Sequence, residues 1–465
     1  MGSPGISTTQ GPTGLPQPLR WQAMLAVALS VLLSVLDYAV ANVALPTIAR
    51  DMQATSSQSI WVINAYQLAS LAALLPLASI GARIGFARMC RIGIMLFMVA
   101  SALCALSHTL LELTLARALQ GFGGACIMSV NIALIRFIYP HEQIGRGIAL
   151  NGLVIGSGVA LGPTIGSIVL SVATWPWIFW INIPLALAAL GLAWSALPQT
   201  PRSTVAVDVA GIVATLAAFV FTVLGLDDIV HGHADSGGVM FVVGIIAWAL
   251  LLRRQRGRAN PIVPVDLLRD PEFAVAFFVG MVAFIASNFF IISMPFTLET
   301  LMHRSPSVTG FLIAPWAVGV AVMSYTIGKV ADRLPAGVLS TVGIGVTALG
   351  FLLLRLLPPD ASNVDIVWRT ALAGCGFGAF QPPNNRMMMI LAPRGREGGA
   401  SGLLSVARLG GQTLGALLVA GVFAIHADLA PERCLALATL SGLVACLLSG
   451  SRLVVGRRRQ AGVTR

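Results

Sequence analysis

The sequence predicts an all-α polytopic membrane protein of fourteen spans, two six-helix bundles plus two extra transmembrane helices inserted between them. Three observations carry that prediction. Hydrophobic residues make up 57% of the 465 and charged residues only 10%, with 48 glycines, a balance that describes a chain folded in lipid. The apolar residues gather in runs long enough to cross a bilayer as helices. The segments between those runs alternate, one rich in arginine and the next poor in it, as the two sides of a membrane require. A net charge of +11 would suggest nucleic acid as partner for a soluble protein. Here the arginines belong to inner loops, so the partner expected is the lipid bilayer, with no nucleic acid.

Residues 1–20 are rich in Gly, Pro, Gln and Thr and read as a flexible cytoplasmic tail, without the basic opening of a signal peptide. The first span, 21–45, carries one formal charge, Asp37. At about 1.5 Å per residue, Asp37 lies roughly 24 Å from the Trp21 end and roughly 12 Å from the Leu45 end, within the hydrocarbon. A carboxylate at that depth costs several kcal/mol, so it is expected to face a polar cavity or a partner. Pro46, which lacks an N–H, is expected to end this helix.

Further spans are expected near 59–80, 92–107, 110–135, 147–172, 176–197, 209–226, 238–252, 273–296, 308–328, 336–357, 366–388, 400–425 and 434–453. With the N-terminus inside, the inner segments collect most of the 29 Lys and Arg, while Asp227, Asp228 and Asp235 share an outer loop. Both termini are therefore expected in the cytoplasm, and the chain in the inner membrane of a bacterium. The chain also repeats. Gly81-Ala82-Arg83 closes the second span and Gly328 to Arg333 the tenth, while Gly121-Phe122-Gly123 is echoed by Gly376-Phe377-Gly378. The expected domains are an N-terminal bundle over 21–200, two linker helices over 201–258, a C-terminal bundle over 259–456 and a basic tail over 457–465. Tandem halves running the same way are a transporter architecture.

Four local patterns sharpen this. Asp37 is followed by Asn42 and by Ala44-Leu45-Pro46. The loop after span two reads Gly81-Ala82-Arg83-Ile84-Gly85-Phe86-Ala87-Arg88, and the second half keeps Asp332-Arg333. Span four opens with Arg117-Ala118-Leu119-Gln120-Gly121, and a guanidinium inside a span must pair or reach water. Span five carries Gly158, Gly162, Pro163, Gly166 and Ser167, whose glycines four apart make a flat face for helix contact while the proline kinks the helix. Together these resemble the major facilitator superfamily, and within it the fourteen-span drug:proton antiporters.

The resemblance implies roles. Asp37 and Arg117 would couple to protons, and Gly158, Gly162, Pro163 and Gly166 would be a hinge and seal. Arg83, Gly85, Arg88, Asp332 and Arg333 would belong to the inner gate, with Ala82 standing where the family usually has Asp. The cavity would lie among spans one, four, nine and twelve. Its candidate lining is Asn42, Tyr66, Gln67, Asn131, Asn288, Trp316, Gln381 and Asn384, although any single one of these is more often an interhelical hydrogen bond than a ligand contact. Gln381-Pro382-Pro383-Asn384 is expected to break its helix and free carbonyls for a ligand. Glu299, near His303 and Arg304, reads as a solvated rim residue, and Arg408 matches an arginine found in relatives with no role assigned.

The expected function is proton-coupled export of amphipathic small molecules, monocationic or neutral because one deep acid could serve proton and cation in competition. The alternative is an importer of a small metabolite. The six scattered cysteines read as packing residues, and no phosphate-cradling loop, metal-ligand cluster or catalytic-triad spacing is present. No enzyme activity, cofactor or metal is expected, and the chain is expected to act as a monomer.

Overall fold

A computed structural model describes residues 14–140, 143–203, 208–256, 262–330, 335–358, 360–393, 396–425 and 429–463, and among these the regular structure is helical throughout. The N-terminal bundle comprises α1 (Leu19–Asp51), α2 (Ser56–Ile84), α3 (Phe86–Ala105), α4 (Leu110–Ile138) and α5 (Ile144–Val172). Its sixth span is split into α6 (Trp177–Trp180) and α7 (Asn182–Ala196). The inserted pair is α8 (Val209–Val230) and α9 (Ala234–Gln255). The C-terminal bundle comprises α10 (Pro271–Phe296), α11 (Pro306–Val330), α12 (Ala336–Arg355), α13 (Asn363–Leu391), α14 (Glu397–Ile425) and α15 (Ala430–Val463). Thirteen of the described spans are apolar enough to be recognised by composition, and α13 is the fourteenth. Its 29 residues include Asp365, Arg369, Gln381, Asn384, Asn385 and Arg386, so its place in the bundle identifies it where hydropathy does not.

Helix starts follow from local chemistry. Thr55 with Gln58, and Thr109 with Glu112, form capping boxes that satisfy the free N–H groups of α2 and α4. Asp208, Asp270 and Ser362 cap α8, α10 and α13 with single side-chain bonds. Gly85 ends α2 at φ +102°, a conformation that suits glycine, and turns the chain directly into α3.

Two expectations about prolines are corrected. Helix α1 does not stop at Pro46 but continues to Asp51. Nor do Pro382 and Pro383 break α13. Pro382 cannot donate to the carbonyl of Gly378, and that oxygen accepts instead from the Ser324 hydroxyl of α11 at 3.1 Å. A neighbouring helix thus replaces one of the two bonds the prolines remove, and α13 stays continuous.

The two bundles repeat one packing scheme. In the first, α1 packs on α5 and α7, and α4 on α2 and α3; in the second, α10 packs on α14 and α15, and α13 on α11 and α12. The contacts between halves repeat as well, α5 against α11 and α2 against α14. The repeat extends to backbone approach. A methyl on Gly121 would strike the carbonyl of Tyr66 and one on Gly374 the carbonyl of Trp316, while Gly123 and Gly376 abut the carbonyls of Gly93 and Gly343. Contacts therefore pair Gly121 with Gly374 and Gly123 with Gly376, two residues away from the match drawn from the sequence.

The two ends of the bundles differ in how they close. On the face bearing the start of α1 and the end of α15, the terminal face, the two halves keep separate cores. One holds Met24, Phe97 and Ile135, the other Phe273, Met388 and Leu403. On the opposite, distal face a single core runs through both halves, joining Leu45, Ile48 and Phe179 to Phe290, Met294 and Phe296. The molecule is thus sealed distally. The inserted pair packs through α8 into the seam between α2 and α14, where Phe219 meets Leu71 and Leu409.

Candidate functional site

Asp37 lies halfway along α1, 2% exposed, at the centre of the N-terminal bundle. Its Oδ2 accepts from Nη1 of the fully buried Arg117 on α4 in a close ion pair. Its Oδ1 accepts from Gln120 Nε2 at 2.8 Å and from Asn182 Nδ2 at 2.7 Å. Gln120 also donates to Ser101 Oγ at 2.8 Å and accepts from Arg117 Nη1 at 2.5 Å. Arg117 Nε donates to the carbonyl of Val62 at 2.9 Å. The guanidinium carbon stands 4.5 Å from the centroid of the Tyr66 ring and 5.6 Å from that of Phe179. Four helices therefore build the site: α1 supplies the acid, α4 the cation and amide, α3 a hydroxyl and α7 the asparagine. Every polar contact to Asp37 is a donor.

The structure brings Asp37 and Arg117 together, and Asp37 faces protein partners and not the space between the halves. Gln120, Asn182 and Ser101 escaped the sequence reading. Gln120 had a visible signal, since three residues beyond Arg117 it must share that helix face. Asn182 had none, because the fold alone brings α7 against α1.

The candidate cavity residues divide. Tyr38, Asn288 and Gln67 meet between the halves. The Tyr38 hydroxyl donates to Asn288 Oδ1 at 2.8 Å, and Asn288 Nδ2 donates to the carbonyl of Gln412. Gln67 lies beside Tyr38, its amide shut off from solvent. Asn42 donates to the carbonyl of Tyr38 at 2.7 Å and leaves Oδ1 unpartnered. Tyr66 stacks under Arg117 and donates to the carbonyl of Ser34 at 3.1 Å. Three others bind within bundles instead. Asn131 donates to Asn151 of α5 at 2.9 Å, and Asn384 ties the carbonyl of Ala276 to Arg452. Trp316 packs in an aromatic cluster, its ring 5.0 Å from that of Phe290 and 5.4 Å from that of Phe377. Gln381 is partly exposed on the unbroken α13.

The hinge residues sit on α1. A methyl on Gly162 would collide with Ala39, and Gly158 and Gly166 face Val35 and Val40, so α5 lies against the helix that carries Asp37. Pro163 and Ser167 also receive Gly310 of α11, which makes this patch a junction of both halves. Arg83 and Arg88 are exposed at the terminal face, and Gly85 forms the α2–α3 turn. Asp332 and Arg333 lie outside the described residues. Glu299 corrects the sequence reading. Its side chain is 5% exposed, lies in a π-turn (Thr297–Leu301) after α10, and pairs at 3.7 Å with Arg50 of α1, which links the halves at the distal face. A cleft of about 360 Å³ opens there too, bounded by Asp51, Met52, Ala105, His108 and Trp175.

The description Major Facilitator Superfamily fits residues 27–416 of this chain as a family model. An uncharacterized transporter, YebQ, of Escherichia coli (strain K12) is 41% identical over 453 residues, covering 96% of this chain and 98% of the relative. Riboflavin transporter RibZ of Clostridioides difficile (strain 630) is 26% identical, covering 87% of this chain and 88% of the relative. Multidrug efflux pump LfrA of Mycolicibacterium smegmatis (strain ATCC 700084 / mc(2)155) is 28% identical, covering 92% and 86%.

Proposed function

On the premise that the chain belongs to the major facilitator superfamily, and so is a multi-pass membrane transporter, we propose that it exports amphipathic small molecules in exchange for protons. Asp37 is the group that carries the proton. The observation that supports this most is the sealed Asp37–Arg117 pair and its Gln120 and Asn182 donors, a titratable acid buried beside a permanent cation. The terminal face is cytoplasmic in this reading, because that face collects the arginine-rich loops. The chain works as a monomer in the inner membrane of a bacterium, since one polypeptide supplies both bundles.

The cycle follows from the electrostatics. With Asp37 ionised, the pair with Arg117 holds α1 and α4 together while the distal core closes the outer side. Protonation removes one charge of the pair and leaves Arg117 buried beside a neutral acid. Breaking a buried pair costs about 3–5 kcal/mol. That is close to the ~5.5 kcal/mol that inverts a two-state equilibrium from 1:99 to 99:1, so one proton has the leverage to switch the halves. The proton would enter from the distal cleft. Between that cleft and Arg117 stand Trp175 and Phe179, edge to face at 6.2 Å, which must part for the carboxylate to be reached.

Export is favoured over import by the glycine–proline patch on α5, which goes with exchange in the antiporters it resembles, and by the efflux pump among the relatives. The riboflavin transporter keeps the alternative, an importer of a small metabolite, in view. Because Asp37 is already paired, the reason for expecting a cationic substrate is withdrawn. Inside-out proteoliposomes with an acidic lumen, offered a panel of dyes and biocides, separate the two directions. An exporter accumulates its substrate in the lumen as protons leave. A proton-coupled importer accumulates none, and that outcome would reverse the assignment.

A further inference from the structure

The space between the halves contains a cation without a counter-ion. Arg408 stands near the middle of α14, deep among the helices yet partly accessible, as a side chain lining the space between the halves does. Tyr38 shows the same combination on the facing helix α1. Among the described residues none gives Arg408 a hydrogen bond or an ion pair, and the groups nearest it are the neutral Tyr38 and Tyr66 hydroxyls. The buried acids Asp37 of α1 and Glu299 of the π-turn after α10 pair elsewhere, with Arg117 and Arg50. Arginine does not give up its proton in a protein, and an unpaired charge removed from bulk water is costly.

Beside Arg408 the Tyr38 hydroxyl donates to Asn288 Oδ1 across the halves at 2.8 Å, which places polar groups of α1 and α10 at the same level. Phe284, one helical turn before Asn288 on α10, adds an aromatic surface backed by Phe377 with ring centroids 5.4 Å apart.

We propose that this chamber binds the anionic group of an amphipathic organic anion, a carboxylate or sulfonate, through Arg408. The planar guanidinium fork takes two oxygens of such a group at once, and Phe284 receives the apolar part. The inference rests on reading the chamber as the substrate site, and it names the charge that the cargo carries.

The test uses the full chain in lipid nanodiscs and three fluorescent probes of one scaffold: dansylglycine, its neutral methyl ester, and the cationic dansylcadaverine. Wild type is expected to bind the carboxylate at least tenfold more tightly than the ester, and the cation most weakly. Arg408→Gln is expected to bind the carboxylate and the ester alike, at the level of the wild-type ester. Equal binding of carboxylate and ester by wild type, tighter binding of the cation, or an undiminished preference in Arg408→Gln would overturn the proposal. If Arg408→Gln binds neither probe, Arg408→Lys decides: a retained preference for the carboxylate supports the site and a lost one overturns it. Driving the same probes with a pH gradient separates this from the exchange reading. A charge preference without gradient-driven transport sinks the exporter alone, and gradient-driven transport without the preference sinks the anion site alone.

Discussion

At the residue scale the chemistry is concentrated on one carboxylate and its donors. Gln120 and Asn182 each hold Asp37 Oδ1. Hydrogen bonds to a charged group contribute about 1.5–3 kcal/mol. Asn182→Ala is therefore expected to destabilise the protein by about that amount and to slow gradient-driven transport. The measurements are thermal melting and initial transport rate, and values equal to wild type would remove Asn182 from the coupling network. What could be read in advance at this scale was whatever is costly on its own. A lone acid and a lone guanidinium in lipid each demand a partner, so Asp37 and Arg117 stood out by their places within apolar spans. Asn131 and Asn384 were not, because an amide in a span is equally suited to a ligand or to a neighbouring helix. The fold settled both on neighbouring helices.

At the scale of elements, close approach and lent hydrogen bonds decide which helices can bend or meet. Helix α5 lies against α1 at Gly162, where any side chain meets Ala39, whereas Gly156 on the same helix has open space at its Cβ position. Gly162→Leu is expected to destabilise the protein by about 1–3 kcal/mol, the usual cost of overpacking, and to stop transport. Gly156→Ala is expected to leave both unchanged, and thermal melting in detergent compares the pair. Ser324→Ala strips the carbonyl of Gly378 of its donor and is expected to cost about 1–3 kcal/mol. A melting temperature equal to wild type would mean that the carbonyl has another partner. Span positions were legible because runs of apolar residues must match bilayer thickness. The continuity of α13 through two prolines was not, since the hydroxyl that repairs it comes from another helix. The same holds for Glu299, whose rim-like sequence context hides a π-turn that folds it inward onto Arg50.

For the whole molecule, the duplicated packing scheme, the distal core shared by both halves and the separate cores at the terminal face describe one of the two states that alternating access needs. The Arg50–Glu299 pair and the Ser57 hydroxyl, 2.9 Å from the carbonyl of Ala420 and within reach of His231, tie the halves together distally. Glu299→Gln is expected to weaken that closure, and hydrogen exchange should rise at the distal ends of α1 and α10. Exchange unchanged there would assign closure to the apolar core alone. The claim on which the rest depends is that the proton exchanged for substrate is carried by Asp37. It is tested most directly by Asp37→Asn in inside-out proteoliposomes with an acidic lumen, following substrate accumulation beside substrate–substrate counterflow. The account expects gradient-driven accumulation to vanish while counterflow persists. Accumulation at the wild-type level in Asp37→Asn would contradict it.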